Sequence, residues 1–500
     1  MAWRPHELFS AMAVRLARLP RRFVNLAITA FVSLVCGFTL YAVLALPALK
    51  PWHTQPLDRE FSALRDANLD FEGYLKLEAG LFEQMRDSIE TWDHADEAYQ
   101  FGRFNPASNV SRLADGAPYN RSFRLTPAMP VIGHALLLHG LSDSPYSMKA
   151  LAESLRVRGF EVTVLRMPGH GTLPAAMTQM TVADWTAAVR IAARDVAART
   201  PGGQPFYIGG YSTGGTLALQ YALDALADPS LRRPDRILLV SPAIEVPEVA
   251  IVANVLDLLS IVPLPVLQKV RWQEIGVEYD PYKFNSFAIN ATRQVSRATR
   301  ALQESLAHAA KSGRIEQMPP VVTWQSVVDA TVGADGVADV LYARLHGAAN
   351  RLVLFDVNRF GALGSVQRPG AGALIDRLTS APRAYTLDIV FNTDTQGRNV
   401  SLRRLTPDGA ASVRDTGLQW PETLVSLGHV AMPFPPDDPL YGLNPGSGRD
   451  GRPSIGSWLF RGENGAVTVS LGSLTRPRSN PFWSLIDEDV AALVEADRGK

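Results

Sequence analysis

The sequence predicts an α/β fold: a mostly parallel central sheet with helices on both faces, interrupted by a helical cap. Three observations predict it. Between residues 132 and 240, short apolar strand-like runs alternate with amphipathic helical stretches, the pattern of successive βαβ units. The same alternation resumes at residues 320–324 after a long stretch of different character. Finally, Gly210-Tyr211-Ser212-Thr213-Gly214 stands where a strand-like run passes directly into a small-residue helix.

Within the first core part, residues 131–241, period and length assign strands at 134–138, 161–165, 205–209 and 236–240. Helices fall between them at 147–158, 182–198 and 213–226. Residues 242–319 leave this register, with apolar clusters at 249–259 and 261–267, and read as the helical cap. The second core part, 320–358, carries strands at 320–324 and 351–355. Residues 359–423 read as an insertion with β-like segments at 385–392 and 400–405 and no evident role. The third core part, 424–500, adds a strand at 466–471 and a closing helix at 481–496. Active sites on such sheets form at the carboxyl ends of the strands.

Ahead of the core, residues 47–130 form an extension. Phe61, Leu64, Leu75, Leu81, Phe82, Met85 and Ile89 sit among charged positions there, as in one or two amphipathic helices. A turn-rich approach segment follows. Residues 23–46 contain no Asp, Glu, Lys or Arg, enough helix to cross a hydrocarbon core of roughly 30 Å. Arg4, Arg15, Arg18, Arg21 and Arg22 precede it in a basic segment, 1–22, which predicts a cytoplasmic N-terminus and a catalytic domain on the periplasmic or extracellular side. A cleaved signal peptide is the competing reading, because Val43-Leu44-Ala45 resembles a small-residue cleavage pattern; the protein would then be secreted. The apolar run exceeds the usual signal core of roughly 7–15 residues, so the anchor is expected.

Composition narrows the function classes. Lys+Arg and Asp+Glu both total 49, which gives no charge bias toward nucleic acid. Cys36 is the one cysteine of the 500 residues, so neither an internal disulfide nor a cysteine-based metal site can form. The chemistry-bearing residues point to nucleophilic catalysis without metal or organic cofactor. A nucleophile elbow lifts its serine above the sheet on a turn so sharp that flanking glycines are needed, which makes Ser212 the expected nucleophile. The strand at 134–138 ends in His139-Gly140-Leu141, where backbone can approach a reacting carbonyl. The Leu141 and Thr213 amides are accordingly expected to form an oxyanion hole. Serine needs a base, and the base needs an acid to set its tautomer. In this topology the order is Ser, then acid, then His. Asp329, in the loop after the strand at 320–324, suits the acid, with Asp335 as the alternative. His429 is the histidine downstream of the next strand and is the expected base. His139 precedes the nucleophile and reads as structural.

These residues resemble the α/β-hydrolase superfamily, and within it the branch of monoacylglycerol lipases, lysophospholipases and serine aminopeptidase-like hydrolases. The resemblance rests on Leu136-Leu137-Leu138-His139-Gly140-Leu141-Ser142-Asp143-Ser144-Pro145, Arg166-Met167-Pro168-Gly169-His170-Gly171-Thr172, Asp184-Trp185 and the elbow. It implies hydrolysis of a lipid-like carboxylic ester through a Ser212-Asp329-His429 triad and an acyl-enzyme, with His170 structural. Three other readings stay open: acyl transfer by the same triad, peptidase or amidase action, and a non-catalytic membrane-tethered binding protein. A lipid or small-molecule ester and, through the N-terminal helix, a membrane are the expected partners.

Overall fold

The structure is a computed structural model. It describes residues 46–498 except 113–117, 246–264, 362, 364–369, 371, 445–454 and 458–475, together with scattered positions between 22 and 41. Among the described residues no helix is long and apolar enough to cross a membrane. The expected transmembrane helix is therefore not part of the described fold, and residues 23–46 lie mostly outside it, as do the basic segment 1–21, most of the apolar cap clusters and the expected strand at 466–471.

In chain order, α1 (Phe71–Glu90) precedes β1 (Phe123–Leu125), β2 (Gly133–Leu138), α2 (Lys149–Arg156), β3 (Phe160–Leu165), α3 (Val182–Arg199), β4 (Phe206–Tyr211), α4 (Thr213–Ala227) and β5 (Arg236–Val240). A two-stranded ribbon, β6 (Trp272–Glu274) and β7 (Phe287–Ala288), is followed by α5 (Ile289–Lys311). Then come β8 (Val321–Ser326), β9 (Arg351–Phe355), α6 (Ala373–Ser380), β10 (Thr386–Asn392), β11 (Asn399–Leu405), β12 (Ala411–Gln419) and α7 (Trp483–Arg498).

The central sheet runs β1-β3-β2-β4-β5-β8-β9-β10-β11-β12. Pairing is parallel from β3 through β10 and antiparallel at both margins. The inner strands are apolar and buried on both faces, as parallel strands covered by helices must be. Successive side chains alternate between two cores. Leu136 and Leu138 of β2 join the layer of α3, α4 and α5, whereas Ala135 and Leu137 join that of α2 and α7. The chain steps from β2 outward to β3 and then back across to β4, so the strand order reverses between β2 and β4. Loops leaving those two strands diverge and open a crevice at their carboxyl ends.

Two expectations need revision. The segment 242–319 is not simply a helical cap: residues 272–274 and 287–288 form a β-ribbon, and α5 packs on α4 and α3 as a helix of the core layer. The β-segments of 359–423 do not form a separate appendage. β10 aligns with β9, Thr386 opposite Arg351, and β11 and β12 continue outward, so this stretch enlarges the central sheet. Its two ends meet. The Asn358 amide donates to the Val425 carbonyl (2.8 Å), and its side-chain amide donates to the Leu424 carbonyl (2.9 Å). The chain thus returns to the end of β9 before reaching His429.

The extension is bound into the core by a buried polar network. Arg166, fully buried after β3, pairs with Glu60 (2.9 Å) and with Glu78 of α1 (3.2 Å). Tyr74 donates its hydroxyl to the Arg166 carbonyl (2.6 Å), and Ser122 bonds both oxygens of Glu78 (2.8 Å each). Further back, His53 accepts from the Lys50 amide at Nδ1 (2.9 Å), which leaves Nε2–H to meet the Ser286 hydroxyl beside the ribbon (2.8 Å).

Candidate active site

Ser212 joins β4 to α4 with φ 54° and ψ −120°, a conformation rare for any residue with a side chain. Such geometry costs on the order of 1–3 kcal/mol and persists where the surroundings impose it. Here the Ser212 amide donates to the Val240 carbonyl (3.1 Å), while its carbonyl accepts from the Gly215 (2.9 Å) and Ala243 (3.0 Å) amides. The glycines make the turn possible by close approach. A Cβ on Gly210 would stand 2.2 Å from the Gly214 carbonyl carbon, and one on Gly214 would stand 2.1 Å from the Leu138 carbonyl oxygen.

The structure brings the five expected site residues together. Ser212, Thr213, Leu141 and His429 line one cavity of about 400 Å³, and Asp329 lies behind His429. His429, at the start of a short 3₁₀ turn, donates from Nδ1 to Asp329 Oδ2 (2.8 Å). The other carboxylate oxygen accepts from the Thr331 (2.9 Å) and Val332 (3.0 Å) amides, and Gln325 Nε2 approaches Oδ2 at 3.2 Å. Burial alone would raise the Asp329 carboxyl; the His429 charge and hydrogen bond, with the two amides, outweigh it and hold the group below its usual range. Tyr211 stacks on the His429 ring (4.9 Å) and donates its hydroxyl to the His429 carbonyl (3.3 Å), steadying the imidazole. Asp335, the alternative acid, and three of its downstream neighbours are engaged elsewhere. Asp335 and Asp339 pair with Arg377 at the surface, Asp356 pairs with Arg359, and His346 pairs with Glu316.

Leu141 and Thr213 line the same cavity. Among the described residues neither amide has a hydrogen-bond acceptor. His139 has no direct part in this cavity. Its Nε2 accepts from the Met167 amide (3.0 Å), so the proton sits on Nδ1 and is donated to the Gly140 carbonyl (2.8 Å). Burial keeps it neutral, well below the usual imidazole range. His170 is similarly buried and lowered to about 4, with Nδ1 bonded to the Pro168 carbonyl (3.0 Å).

The cavity also has a polar wall. Asp143 faces Lys283 (3.6 Å), and Asp280 accepts from the Tyr441 hydroxyl (2.6 Å) with Arg478 at 4.0 Å. Burial raises the Asp143 carboxyl despite Lys283. Asp143 falls within the Leu136–Pro145 motif, but Asp280, Lys283 and Arg478 carry no local sequence signal, because each meets its partner from a distant segment.

Sheet order, elbow and Asp–His pair are arranged as in the α/β-hydrolase fold. The family described as "Serine aminopeptidase, S33" matches residues 130–348. A thermostable monoacylglycerol lipase from Bacillus sp. (strain H-257) is 38% identical over 87 residues, which are 17% of this chain and 34% of that protein. The chain thus spans about a third of the length of this curated relative. Among solved structures, monoacylglycerol lipase from Paleococcus ferrophilus aligns at 18% identity over 52% of this chain and 98% of that one, with a TM-score of 0.35. A soluble variant of monoglyceride lipase from Saccharomyces cerevisiae aligns at 14% identity over 47% and 81%, also at 0.35.

Proposed function

We propose that this protein is a serine hydrolase of carboxylic esters with a lipophilic acyl chain. Ser212 attacks the ester carbonyl while His429 takes its proton, and Asp329 holds the imidazole in the tautomer that leaves Nε2 free to accept. The Leu141 and Thr213 amides receive the developing oxyanion. His429 then returns the proton to the leaving alcohol, and water, activated the same way, releases the acid. The observation that carries the reading is the coincidence of three features in one cavity: a strained serine, a histidine bonded to an ionised carboxylate, and two amides without acceptors. The family match and the short stretch of likeness to a monoacylglycerol lipase favour a lipid ester. The buried cavity carboxylates Asp143 and Asp280 already face Lys283 and Arg478, so neither is free to receive the amine of a peptide substrate.

Residues 23–46 are proposed to anchor the protein, with the catalytic domain outside the cytoplasm. Supporting this, the run has no charged residue, arginines precede it, and Leu26, Val32, Leu40 and Tyr41 stand exposed. Resistance of the full chain to carbonate extraction, with an intact N-terminus, is the expected result; a soluble chain beginning near residue 46 would identify signal cleavage instead.

Labelling with a fluorophosphonate probe tests the chemistry. Wild type should label, and Ser212→Ala and His429→Ala should not; undiminished labelling of Ser212→Ala removes the assignment. A panel of monoacylglycerols and lysophospholipids then reports the substrate, and recovery of acyl groups on an alcohol instead of as free acid would turn the reading to acyl transfer.

A further inference from the structure

The wall of the cavity opposite the core is a polar knot built from residues 278–286. Asp280 Oδ1 accepts from the Tyr282 (3.0 Å) and Lys283 (3.1 Å) amides, and Glu278 accepts from the Asn285 (3.1 Å) and Ser286 (2.8 Å) amides. Both carboxylates are about 1% exposed. A roof over an acyl chain would need none of this, because burying carboxylates is costly and apolar residues would serve. What the knot does fix is the direction of one backbone amide. Phe284 N–H donates to the Ser142 carbonyl (2.8 Å), and beside it Lys283 reaches Asp143 (3.6 Å).

Those two contacts fall on the loop that carries Leu141. Ser142 has φ 59°, left-handed and unfavourable for serine, so it needs support from outside the loop. On the inner side, His139 Nδ1–H and the Asp143 amide both hold the Gly140 carbonyl, at 2.8 and 3.3 Å. A trans peptide points its C=O and N–H in opposite directions, so fixing Gly140 O also aims Leu141 N–H. The loop is thus clamped by the core at Gly140 and by the cap at Ser142 and Asp143. We propose that the cap segment is a positioning element of the reaction: Phe284, with Lys283, holds Ser142 and thereby the Leu141 amide in its oxyanion-binding place. This rests on the ester-hydrolase reading and extends it, since the cap then contributes to the rate as well as to substrate enclosure.

The test separates rate from binding. Phe284→Pro removes the donated N–H, and kcat for a short-chain ester should fall by roughly 10²-fold, the loss typical of one oxyanion donor, with KM little changed. Affinity for a boronic acid, whose tetrahedral adduct occupies the oxyanion site, should fall in parallel, while that for a non-reacting ether analogue should hold. Adding Ser142→Gly should recover part of the loss, because glycine adopts positive φ without external support. Should Phe284→Pro not fold, Lys283→Ala, Asp143→Ala and the double variant provide the same readout, with a smaller fall in kcat that is not additive. Folded variants that raise KM at unchanged kcat and unchanged boronate affinity would overturn the proposal and leave the cap as a roof. Wild type that neither labels with fluorophosphonate nor hydrolyses any ester would instead overturn the ester-hydrolase reading itself.

Discussion

Ser212 carries backbone strain that only its position in the elbow imposes, so stability and activity should move in opposite directions there. Ser212→Gly should abolish turnover yet melt higher than Ser212→Ala, by about 1 kcal/mol or more in unfolding free energy, because glycine is not penalised at φ 54°. Equal melting temperatures for the two variants would mean the strain is not stored at this residue. At Asp329 the expected effect is on chemistry. Asp329→Asn keeps the shape but no longer demands the Nδ1–H tautomer of His429, and kcat should drop by roughly 10⁴-fold with modest change in KM, read by steady-state kinetics. These residues were legible in the sequence because each obeys a local or ordering rule. Ser212 announces itself by glycine spacing, Asp329 by following a strand, and His429 by being the histidine left downstream. Lys283, Asp280 and Arg478 were not legible, since a cavity wall assembled from residues far apart in the chain leaves no pattern at any one of them, and Asp143 stood in a motif without its partner being visible.

Among elements, the inner strands were readable because burial on both faces makes them short uninterrupted apolar runs, and the elbow because its glycines answer to backbone contact. Gly214→Ala tests that last point: the added Cβ would lie 2.1 Å from the Leu138 carbonyl oxygen, backbone that cannot swing away. The variant should lose several kcal/mol of stability, or fail to fold, in a chemical-denaturation experiment, whereas Gly203→Ala, with nothing within 4 Å but φ 86°, should cost about 1 kcal/mol. β12 escaped the sequence reading for the converse reason. It is an edge strand exposed along most of its length, and its Ala, Ser, Arg, Asp and Thr residues lack the alternation that a half-buried strand would show. β10 was seen as a strand but not as a member of the central sheet, because its place beside β9 is a fact of pairing, which a strand's own residues do not encode. α5 was absorbed into the cap for a similar reason: a helix packed on a sheet layer and one packed over a site share one amphipathic pattern.

For the whole molecule, the extension is part of the interior of the α/β core. Arg166 is buried between Glu60, Glu78 and the Tyr74 hydroxyl, so Arg166→Met would leave two carboxylates without their cation and should cost about 3–5 kcal/mol, measured by urea denaturation. Removing residues up to about 90 should be worse than removing those up to 45, since only the longer cut takes Glu60, Glu78 and His53 away. Buried histidines set the acid limit. His170 is lowered to about 4 and His53 to about 3, against an unfolded value near 6.5. Both bind fewer protons folded than unfolded in that interval, so their contribution is whole above about pH 6.5 and is lost progressively as pH falls toward 4. The melting temperature should decline across that window, and His170→Asn should flatten part of the slope. The junction at Asn358 has a different kind of consequence. Because the chain departs from β9 and rejoins it within two hydrogen bonds, the place of His429 is set at this junction and not by the length of the turns that join the outer strands. Lengthening a loop whose ends are already held together adds little closure entropy. The exposed turn between β11 and β12 is therefore a natural graft point, at which a foreign domain could be spliced into the chain while the distance between His429 and Asp329 stays as it is.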